Sequence, residues 1–406
     1  MQVSAGVGRA SARALSSIAL VLAAATFFVA AWSFLPPPTY FFLALAVAAP
    51  EVGAWLVLLA ILAAALALPS LRTHRSARVA VVLALATLVS ASLPLLRFEG
   101  VNRAFEQTMR ERLGDNYLAG VADELRSRMH SSSLDAGELF SGLDTGDARV
   151  TRGIVYATPE GHALALDVYQ PMVAGRRPAI VQIYGGAWQR GAPREGERFA
   201  RYLAAHGYVV FAIDYRHAPR WQWPAQLDDT RAALVWIAAH AGEYGADVGR
   251  LALIGRSSGA QLALTAAYMP DSIPVRAVVS LYGPTDLVTG YREPPSPDPL
   301  RVRTVEEAFL GGTPDDRPER YADASPISYA TRPLPPTLLI YAGRDHVVMP
   351  RFGAMLDEQL RATGTVSVLL TIPWAEHAFD AVTGGPSAQL ALHHTERFLA
   401  WALHGQ

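Results

Sequence analysis

Three long apolar stretches precede residue 100, and no other feature of this sequence constrains its fold as strongly. They cover residues 16–35, 52–68 and 77–96. Each has close to the roughly 20 residues that a helix needs to cross the hydrocarbon core of a bilayer. We therefore predict an all-α transmembrane region of about three helices in an integral protein of the cell membrane. A shorter apolar run at residues 40–49 either extends the second helix or lies in the membrane interface.

Two other interpretations of this region were weighed. A cleaved signal peptide fits Arg9 and Arg13 before the first apolar run, but two further spans would still hold the chain in the membrane. Buried helices of a soluble domain fit the hydropathy alone, yet three such stretches in series with almost no charge are rarely a soluble core. The bilayer is thus the first expected partner of this chain.

The arginines of the short loops predict the orientation of these helices. Two arginines, Arg9 and Arg13, precede the first span, and Arg72, Arg75 and Arg78 lie near or in the loop before the third, whereas the loop after the first span has none. Arginine-bearing short loops stay in the cytoplasm. Because three spans put the two ends of the region on opposite sides, the rest of the chain is expected to be extracytoplasmic.

Composition excludes several classes of site and partner. The formal net charge is -1 over 406 residues, so no overall field favours nucleic acid. The sequence has no cysteine, which excludes disulfides, thiolate metal sites and a cysteine nucleophile. No H-E-x-x-H pair occurs either. We expect no metal and no nucleic-acid partner.

The chain divides into three regions. Residues 1–97 form the membrane region, and residues 98–150 are charged and helix-favouring, with a break expected at residues 114–116 and a linker after residue 129. This second region is either a cap over the active site or a spacer. Residues 151–406 are expected to form the catalytic domain.

Short apolar strands alternate with helical stretches in the third region. An antiparallel pair at residues 152–157 and 163–169 is followed by six strands with helices between them, which predicts an α/β fold with a mostly parallel sheet flanked by helices. Ligand chemistry then lies beyond the carboxyl ends of the strands. The six strands are expected at residues 178–184, 208–214, 250–255, 275–282, 336–342 and 366–372.

The run Gly255-Arg256-Ser257-Ser258-Gly259 lies between one of these strands and a helix. It fits the G-x-S-x-G nucleophile elbow, in which a strained turn lifts a serine hydroxyl above the sheet. The elbow needs small residues two positions before and after the nucleophile, and only Ser257 has glycine at both. We therefore predict that Ser257 is the nucleophile and that the amide of Ser258 faces the developing oxyanion.

An acid and a histidine should follow the serine in chain order. Asp345 and His377 each come just after a predicted strand, on the same edge of the sheet as Ser257. His377 would take the proton of Ser257 and return it to the leaving group, while Asp345 would fix the imidazole tautomer.

Other candidates for these roles were considered. Asp286 also follows a strand, but the acid is expected one strand later, and His346 shares the loop of Asp345. His393 and His394 fall in a C-terminal helix and are expected on the surface.

An oxyanion hole is the remaining requirement of this chemistry. Paired glycines, Gly185 and Gly186, end an earlier strand, where backbone amides can approach a tetrahedral intermediate without a side chain in the way. We expect these two amides and that of Ser258 to be the donors.

In chain order, the segments "YGGAW", "DYRHAPRWQWPAQLDD", "GRSSGA", "AGRDHVV" and "EHAF" resemble the α/β-hydrolase superfamily. The resemblance is to its esterase branch of hormone-sensitive-lipase-like and feruloyl-esterase-like enzymes, which includes kynurenine formamidases, and it covers about residues 150–402. It implies cofactor-free hydrolysis of carboxylic esters, sometimes amides. Two departures are Tyr184, where the family usually has histidine, and the residues Arg256, Ser258 and Ala260 around the nucleophile.

The leading hypothesis is therefore a membrane-anchored serine esterase that acts on a small-molecule ester through an acyl-enzyme at Ser257. Alternatives are a lipase or deacylase of membrane lipids, a formamidase-like amidase, or a hydrolase-like binding module without catalysis. The proline- and arginine-rich segment at residues 283–335 is expected to shape the pocket.

Overall fold

The computed structural model describes residues 2–404, with side chains from Arg13 onward. The first residue of the predicted membrane region and the last two of the predicted catalytic domain lie outside the described residues. So does the side chain of Arg9, which was used to predict the orientation.

The first four described helices are α1 (Gln2–Ala31), α2 (Tyr40–Glu51), α3 (Gly53–Ala67) and α4 (Arg75–Leu113). Three segments are long and apolar enough to cross a membrane, namely Arg13–Ala31, Gly53–Ser70 and a part of Arg75–Leu113. They contain most of the three predicted stretches. The run at residues 40–49 forms the separate helix α2, which is too short to be a span and ends in Glu51.

Small side chains hold the three long helices together. The residues between them are alanines with no exposed surface, while large apolar side chains such as Val82, Leu85 and Val89 point outward. Small residues at the helix interface with large apolar ones outside are typical of helix bundles in lipid. The alanines of these three helices with no exposed surface are Ala19, Ala23, Ala30, Ala60, Ala63, Ala67, Ala77, Ala80 and Ala84.

Helix α4 continues far beyond its apolar half. Phe98, Phe105 and Met109 lie at helical spacing and are buried against the sheet domain. The predicted boundary between residues 97 and 98 therefore falls inside one continuous helix, which also passes through Pro94. The helix ends at Gly114, within the predicted break, where the glycine adopts a φ of 100°.

The segment after α4 contains two short helices, α5 (Asp123–Arg128) and α6 (Glu138–Ser141). Part of the stretch expected to be a linker is packed against the domain: Glu138 is buried, and the backbone N–H of His130 donates to Glu396 at 3.1 Å. This segment thus runs along the outside of the catalytic domain.

Eight strands form one sheet in the order β1-β2-β4-β3-β5-β6-β7-β8. The first two strands pair antiparallel with each other and β2 pairs antiparallel with β4, whereas β3 to β8 are parallel. The predicted mostly parallel sheet is confirmed. The strands are β1 (Ala148–Ala157), β2 (Leu164–Pro171), β3 (Arg177–Ile183), β4 (Val209–Ile213), β5 (Ala246–Arg256), β6 (Ala277–Leu281), β7 (Thr337–Ala342) and β8 (Ser367–Ile372).

Helices cover both faces of the sheet. They are α7 (Glu197–Ala205), α8 (Ala225–His240), α9 (Ser258–Tyr268), α10 (Leu287–Arg292), α11 (Val302–Leu310), α12 (Pro318–Ala324), α13 (Arg351–Ala362) and α14 (Pro386–His404). One face packs against α8, α9 and α13, and the other against α4, α7 and α14. The second half of α4 is thus part of the sheet domain.

The prediction that His393 and His394 lie on the surface is wrong. Both side chains are buried in α14, and His394 Nε2 lies 3.1 Å from Asn102 Oδ1 on α4. The two histidines are buried because helix α4 packs on the outer face of α14. The pattern of residues within α14 alone does not predict that another helix covers it. Burial lowers the pKa of His394 well below its ordinary value, so the imidazole is neutral.

Candidate active site

Ser257 lies at the sharp turn between β5 and α9, with φ 49° and ψ -121°. Glycines on both sides make this turn possible. A Cβ on Gly255 would lie 2.2 Å from the carbonyl oxygen of Gly259, and a Cβ on Gly259 would lie 2.2 Å from that of Tyr184. The strained backbone holds the Ser257 side chain at the carboxyl edge of the sheet, as the elbow pattern predicts.

The structure brings Ser257, His377 and Asp345 together in a hydrogen-bonded chain. Ser257 Oγ lies 2.9 Å from His377 Nε2, and His377 Nδ1 lies 2.8 Å from Asp345 Oδ2. Asp345 follows β7 and His377 follows β8, so the two partners come from successive strand ends. A carboxylate at Nδ1 favours the tautomer in which Nε2 accepts the serine proton.

The backbone around Asp345 holds its carboxylate in place. Its second oxygen, Oδ1, accepts from the N–H groups of Val347 at 2.8 Å and Val348 at 2.7 Å. Burial raises the pKa of Asp345, and contact with His377 opposes that rise. Burial tends to lower the pKa of His377, but the nearby carboxylate raises it to above its ordinary value.

The competing residues have other partners. His346 Nδ1 lies 2.6 Å from Glu376 Oε2, and the backbone N–H of His346 donates to the same carboxylate. Asp286 caps α10 by accepting from Thr289 N at 3.1 Å. Neither side chain takes part in the chain that reaches Ser257.

The predicted oxyanion donors lie beside the nucleophile. A Cβ on Gly185 would lie 3.0 Å from Ser257 Cβ, and Gly186 adopts a φ of 144° that favours glycine. Among the described residues, the N–H groups of Gly185, Gly186 and Ser258 donate to no backbone carbonyl or side chain. Within the described part of the chain, the N–H of Ala187 also has no hydrogen-bond acceptor, and Ala187 lines the same pocket as Ser257. It is a further candidate donor, which the sequence did not predict.

The chain is similar in sequence to several known proteins. The family model BD-FAE matches residues 166–360. Esterase LipC of Mycobacterium tuberculosis is 35% identical over 246 residues, which cover 56% of this chain and 60% of the relative. The probable carboxylic ester hydrolase LipM of the same organism is 30% identical over 256 residues, covering 59% of this chain and 58% of LipM.

A solved structure is similar to this chain as well. The butyrate-bound form of the esterase Est2 from Thermogutta terrifontis matches with a TM-score of 0.53 and 25% identity, over 63% of this chain and 94% of Est2. Together these comparisons support an α/β-hydrolase esterase family for the region that they cover. The chain spans about three fifths of the length of the two curated relatives.

Tyr184 occupies the position at which esterases of this family usually have histidine. Its hydroxyl donates to Asp214 Oδ1 at 2.5 Å and lies 2.8 Å from His217 Nε2. The hydroxyl of Tyr215 in turn donates to the carbonyl of Tyr184 at 3.2 Å. These bonds tie the glycine loop of the α/β-hydrolase to the segment after β4.

Arg256, the second departure, is partly buried next to the loop that carries His377. Its Nε donates to Asp380 Oδ2 at 2.5 Å, and Tyr282 donates to the other oxygen of Asp380. The Tyr282 ring packs edge-on against His377, with ring centroids 4.8 Å apart. The sequence offers only an unusual arginine as a signal for this cluster, because Asp380 lies 124 residues away.

Two cavities of this α/β-hydrolase meet at Ser257. The smaller has a volume of about 40 Å³, and half of its lining residues come from the segment at residues 283–335, among them the apolar Leu300, Val302 and Val305. The larger has a volume of about 860 Å³ and includes His377. Within the described residues, no group of histidine, aspartate and glutamate side chains is arranged to hold a metal ion.

Proposed function

We propose that this chain is a membrane-anchored serine hydrolase that cleaves carboxylic esters through an acyl-enzyme at Ser257. The observation that carries the proposal is the hydrogen-bonded chain from Ser257 through His377 to Asp345, with distances of 2.9 and 2.8 Å. The printed names of the relatives, esterase and probable carboxylic ester hydrolase, support the same reaction class.

The geometry suits a two-step reaction. His377 Nε2 takes the proton of Ser257 as Oγ attacks the ester carbonyl carbon, and the proton then passes to the departing alcohol oxygen. Water attacks the resulting acyl-enzyme, giving a proton to His377 and then to Ser257 Oγ as the carboxylic acid leaves. Asp345 keeps the imidazole oriented and stabilises its cation in both steps.

The oxyanion that forms in each step needs donors. The undonated N–H groups of Gly185, Gly186 and Ser258 would stabilise it, and loss of one such donor typically costs about 2.7 to 4 kcal/mol of transition-state stabilisation. The same machinery hydrolyses activated amides, so a formamidase-like activity is the second candidate. A binding module without catalysis fits less well, since it would not need the hydrogen-bonded chain.

The membrane anchor is supported by the bundle of α1, α3 and α4. A hydrogen bond of 3.1 Å joins Ser76 to Ser16 near one end of the bundle, and Ala30, Leu56 and Ala91 pack together near the other. The catalytic domain adjoins this second end, where Glu51 of α2 accepts from Ser387 N of α14. The arginines of the short loops lie at the opposite end of the bundle, near Ser76 and Ser16. Because arginine-bearing loops stay in the cytoplasm, this arrangement supports an extracytoplasmic catalytic domain.

Serine variants of the full-length protein in detergent test the proposal. Ser257→Ala should lower kcat/KM for p-nitrophenyl butyrate by about 10³-fold or more. Ser258→Ala should stay within about tenfold of the wild type, because its proposed contribution is its amide. Melting curves check that both variants fold. Equal losses in two folded variants would contradict the assignment.

A further inference from the structure

Helix α2 forms one wall of the large cavity beside Ser257. The side chains that line the cavity recur at positions i, i+3, i+4, i+7 and i+8, so they share one face of the helix. All are apolar except for the hydroxyl of a tyrosine. They are Tyr40, Leu43, Ala44, Val47 and Ala48.

The other sides of α2 face the membrane helices and the outside. Phe42 stacks on Trp32 next to the end of α1, with ring centroids 4.3 Å apart. Tyr40, Phe41 and Trp55 are 53%, 66% and 46% exposed. Exposed aromatic side chains between a membrane-spanning bundle and a polar domain are typical of the bilayer interface. The wall made by α2 therefore connects the cavity with the level of the lipid headgroups.

The cavity also has charged lining residues. Arg190, Arg194 and Glu195 are among them, and Arg190 Nη2 donates to the hydroxyl of Tyr40 on α2 at 2.9 Å. A molecule in this cavity can therefore contact both the apolar face of α2 and charged side chains. The cavity thus matches an amphiphile better than a wholly polar or wholly apolar ligand.

The position of His377 decides which part of an ester each cavity holds. The imidazole must reach the oxygen of the leaving alcohol to give it a proton. His377 lines the large cavity, and the small cavity is lined by Ser257, Ser258 and Trp188 without it. The alcohol therefore lies in the large cavity, and the acyl group lies in the small one.

The two volumes set the sizes of these parts. The small cavity, about 40 Å³, has room for about three water-sized groups at roughly 10–15 Å³ each, which fits an acyl chain from acetyl to butyryl. The large cavity, about 860 Å³, is more than an ordinary short alcohol needs. This asymmetry favours a short acyl group on a bulky alcohol.

We propose that the substrate is an amphiphilic ester of the bilayer, with a short acyl group on a lipidic alcohol that enters the large cavity along α2. The proposal rests on the esterase function proposed above. Water adds across the ester bond, so that the alcohol receives the proton and stays in the membrane while the short carboxylic acid leaves into water. The enzyme is then a deacylase that removes a short acyl group from a lipid and leaves the long chains of the lipid intact.

Two isomeric esters test this directly. Dodecyl acetate and ethyl dodecanoate have the same atoms and similar hydrophobicity but exchange the long and short sides of the ester. With the full-length enzyme in mixed detergent micelles, kcat/KM for dodecyl acetate should exceed that for ethyl dodecanoate by at least about tenfold. An equal or reversed preference would overturn the proposal.

A cavity-filling variant tests the route along α2. Ala44→Trp should lower the ratio of kcat/KM for dodecyl acetate to that for ethyl acetate by about tenfold or more. Ala65→Trp is the matched control, since Ala65 is also exposed on an apolar helix but does not line the cavity; it should keep the wild-type ratio. If both variants keep the ratio, the long alcohol does not occupy this cavity, and the proposal is wrong.

Hydrolysis of p-nitrophenyl acetate separates this proposal from the underlying function. An enzyme that hydrolyses p-nitrophenyl acetate but neither long ester is a serine esterase whose substrate is not lipidic, which would overturn only the present proposal. A folded protein that hydrolyses none of the esters would overturn the esterase function itself.

Discussion

His377 is the side chain whose protonation controls the proposed reaction. Its imidazole must be neutral to accept the serine proton. The Asp345 carboxylate, 2.8 Å away, raises the pKa of His377 above its ordinary value despite burial. The protonated, inactive form of the enzyme therefore persists to a higher pH than it would with an unpaired histidine.

This gives a prediction for the pH profile. We expect kcat/KM for p-nitrophenyl butyrate to be constant at high pH and to fall tenfold per pH unit once the pH drops through a single pKa above about 6.5. Melting curves over the same range show whether acid unfolding contributes. A folded enzyme with a flat profile down to about pH 5 would mean that His377 is not the base.

At the residue scale, the sequence predicts the members of the hydrogen-bonded chain because each follows a strand at the same sheet edge. Ser257, Asp345 and His377 need only the strand positions and the chain order of the three groups. The cluster of Arg256 with Asp380 could not be predicted, since the two side chains meet only when β5 and the loop after β8 are side by side. The spacing of residues in the sequence does not predict that contact.

The glycine loop after β3 depends on Tyr184 for its position. The hydroxyl bonds to Asp214 and His217 fix the ring, and the loop that follows carries the proposed oxyanion donors. Tyr184→Phe removes these bonds and keeps the ring. We expect kcat to fall by about tenfold, with a smaller change in KM, because misplaced donors act mainly on the transition state.

The control for this loop is Tyr329→Phe. The hydroxyl of Tyr329 donates to the backbone carbonyl of Asp323 at 2.9 Å, and both residues are far from the glycine loop in sequence. Loss of this hydroxyl should leave kcat near the wild-type value. If Tyr184→Phe and Tyr329→Phe have the same kcat as the wild type, the ring of Tyr184 alone suffices to hold the loop.

Helix α2 is joined to α14 through a buried carboxyl group. Glu51 Oε2 accepts from Ser387 N at 2.9 Å, and burial raises the pKa of Glu51 to about 8. Because its pKa in the unfolded chain is near 4.3, the folded state retains a proton that the unfolded state releases between these values. The free energy of unfolding therefore decreases as the pH rises toward about 8.

Substitution of Glu51 by glutamine tests this linkage. Glutamine does not titrate, and its amide oxygen can still accept from Ser387. Between about pH 5 and about pH 8, Tm should fall less in Glu51→Gln than in the wild type. The exposed carboxylate Glu99 is the control, and Glu99→Gln should follow the wild type. A wild-type Tm that does not decrease over this range would contradict a raised pKa.

At the element scale, the sequence predicts every strand but not how the helices are shared between regions. The apolar pattern of α4 changes to a charged one near Phe98, which suggests a boundary, whereas the helix itself continues to Leu113. Its second half buries Phe105 against His394. Such boundaries depend on contacts between helices that are distant in sequence, and the local sequence pattern does not predict those contacts.

The bundle of α1, α3 and α4 lies at one end of the molecule and the sheet domain at the other, and we propose that the bundle is a membrane anchor. The described arginines of this region are at the end of the bundle where Ser76 bonds to Ser16, with Arg13 in α1, Arg72 before α4, and Arg75 and Arg78 in its first turn. This predicts that this end is cytoplasmic. Alkaline phosphatase fused after the last residue should be active, and a fluorescent protein that folds only in the cytoplasm should be dark at the same position. The reverse pattern would contradict an extracytoplasmic domain.

The most direct test of the account is to map the site of reaction with a fluorophosphonate. The purified full-length protein in detergent is labelled, digested and analysed by fragmentation mass spectrometry. We expect one phosphonyl adduct, on Ser257, whose formation is lost when the pH falls below the pKa of His377. An adduct on Ser258 or on any other residue, or no adduct on folded protein, would contradict the assignment of Ser257 as the nucleophile.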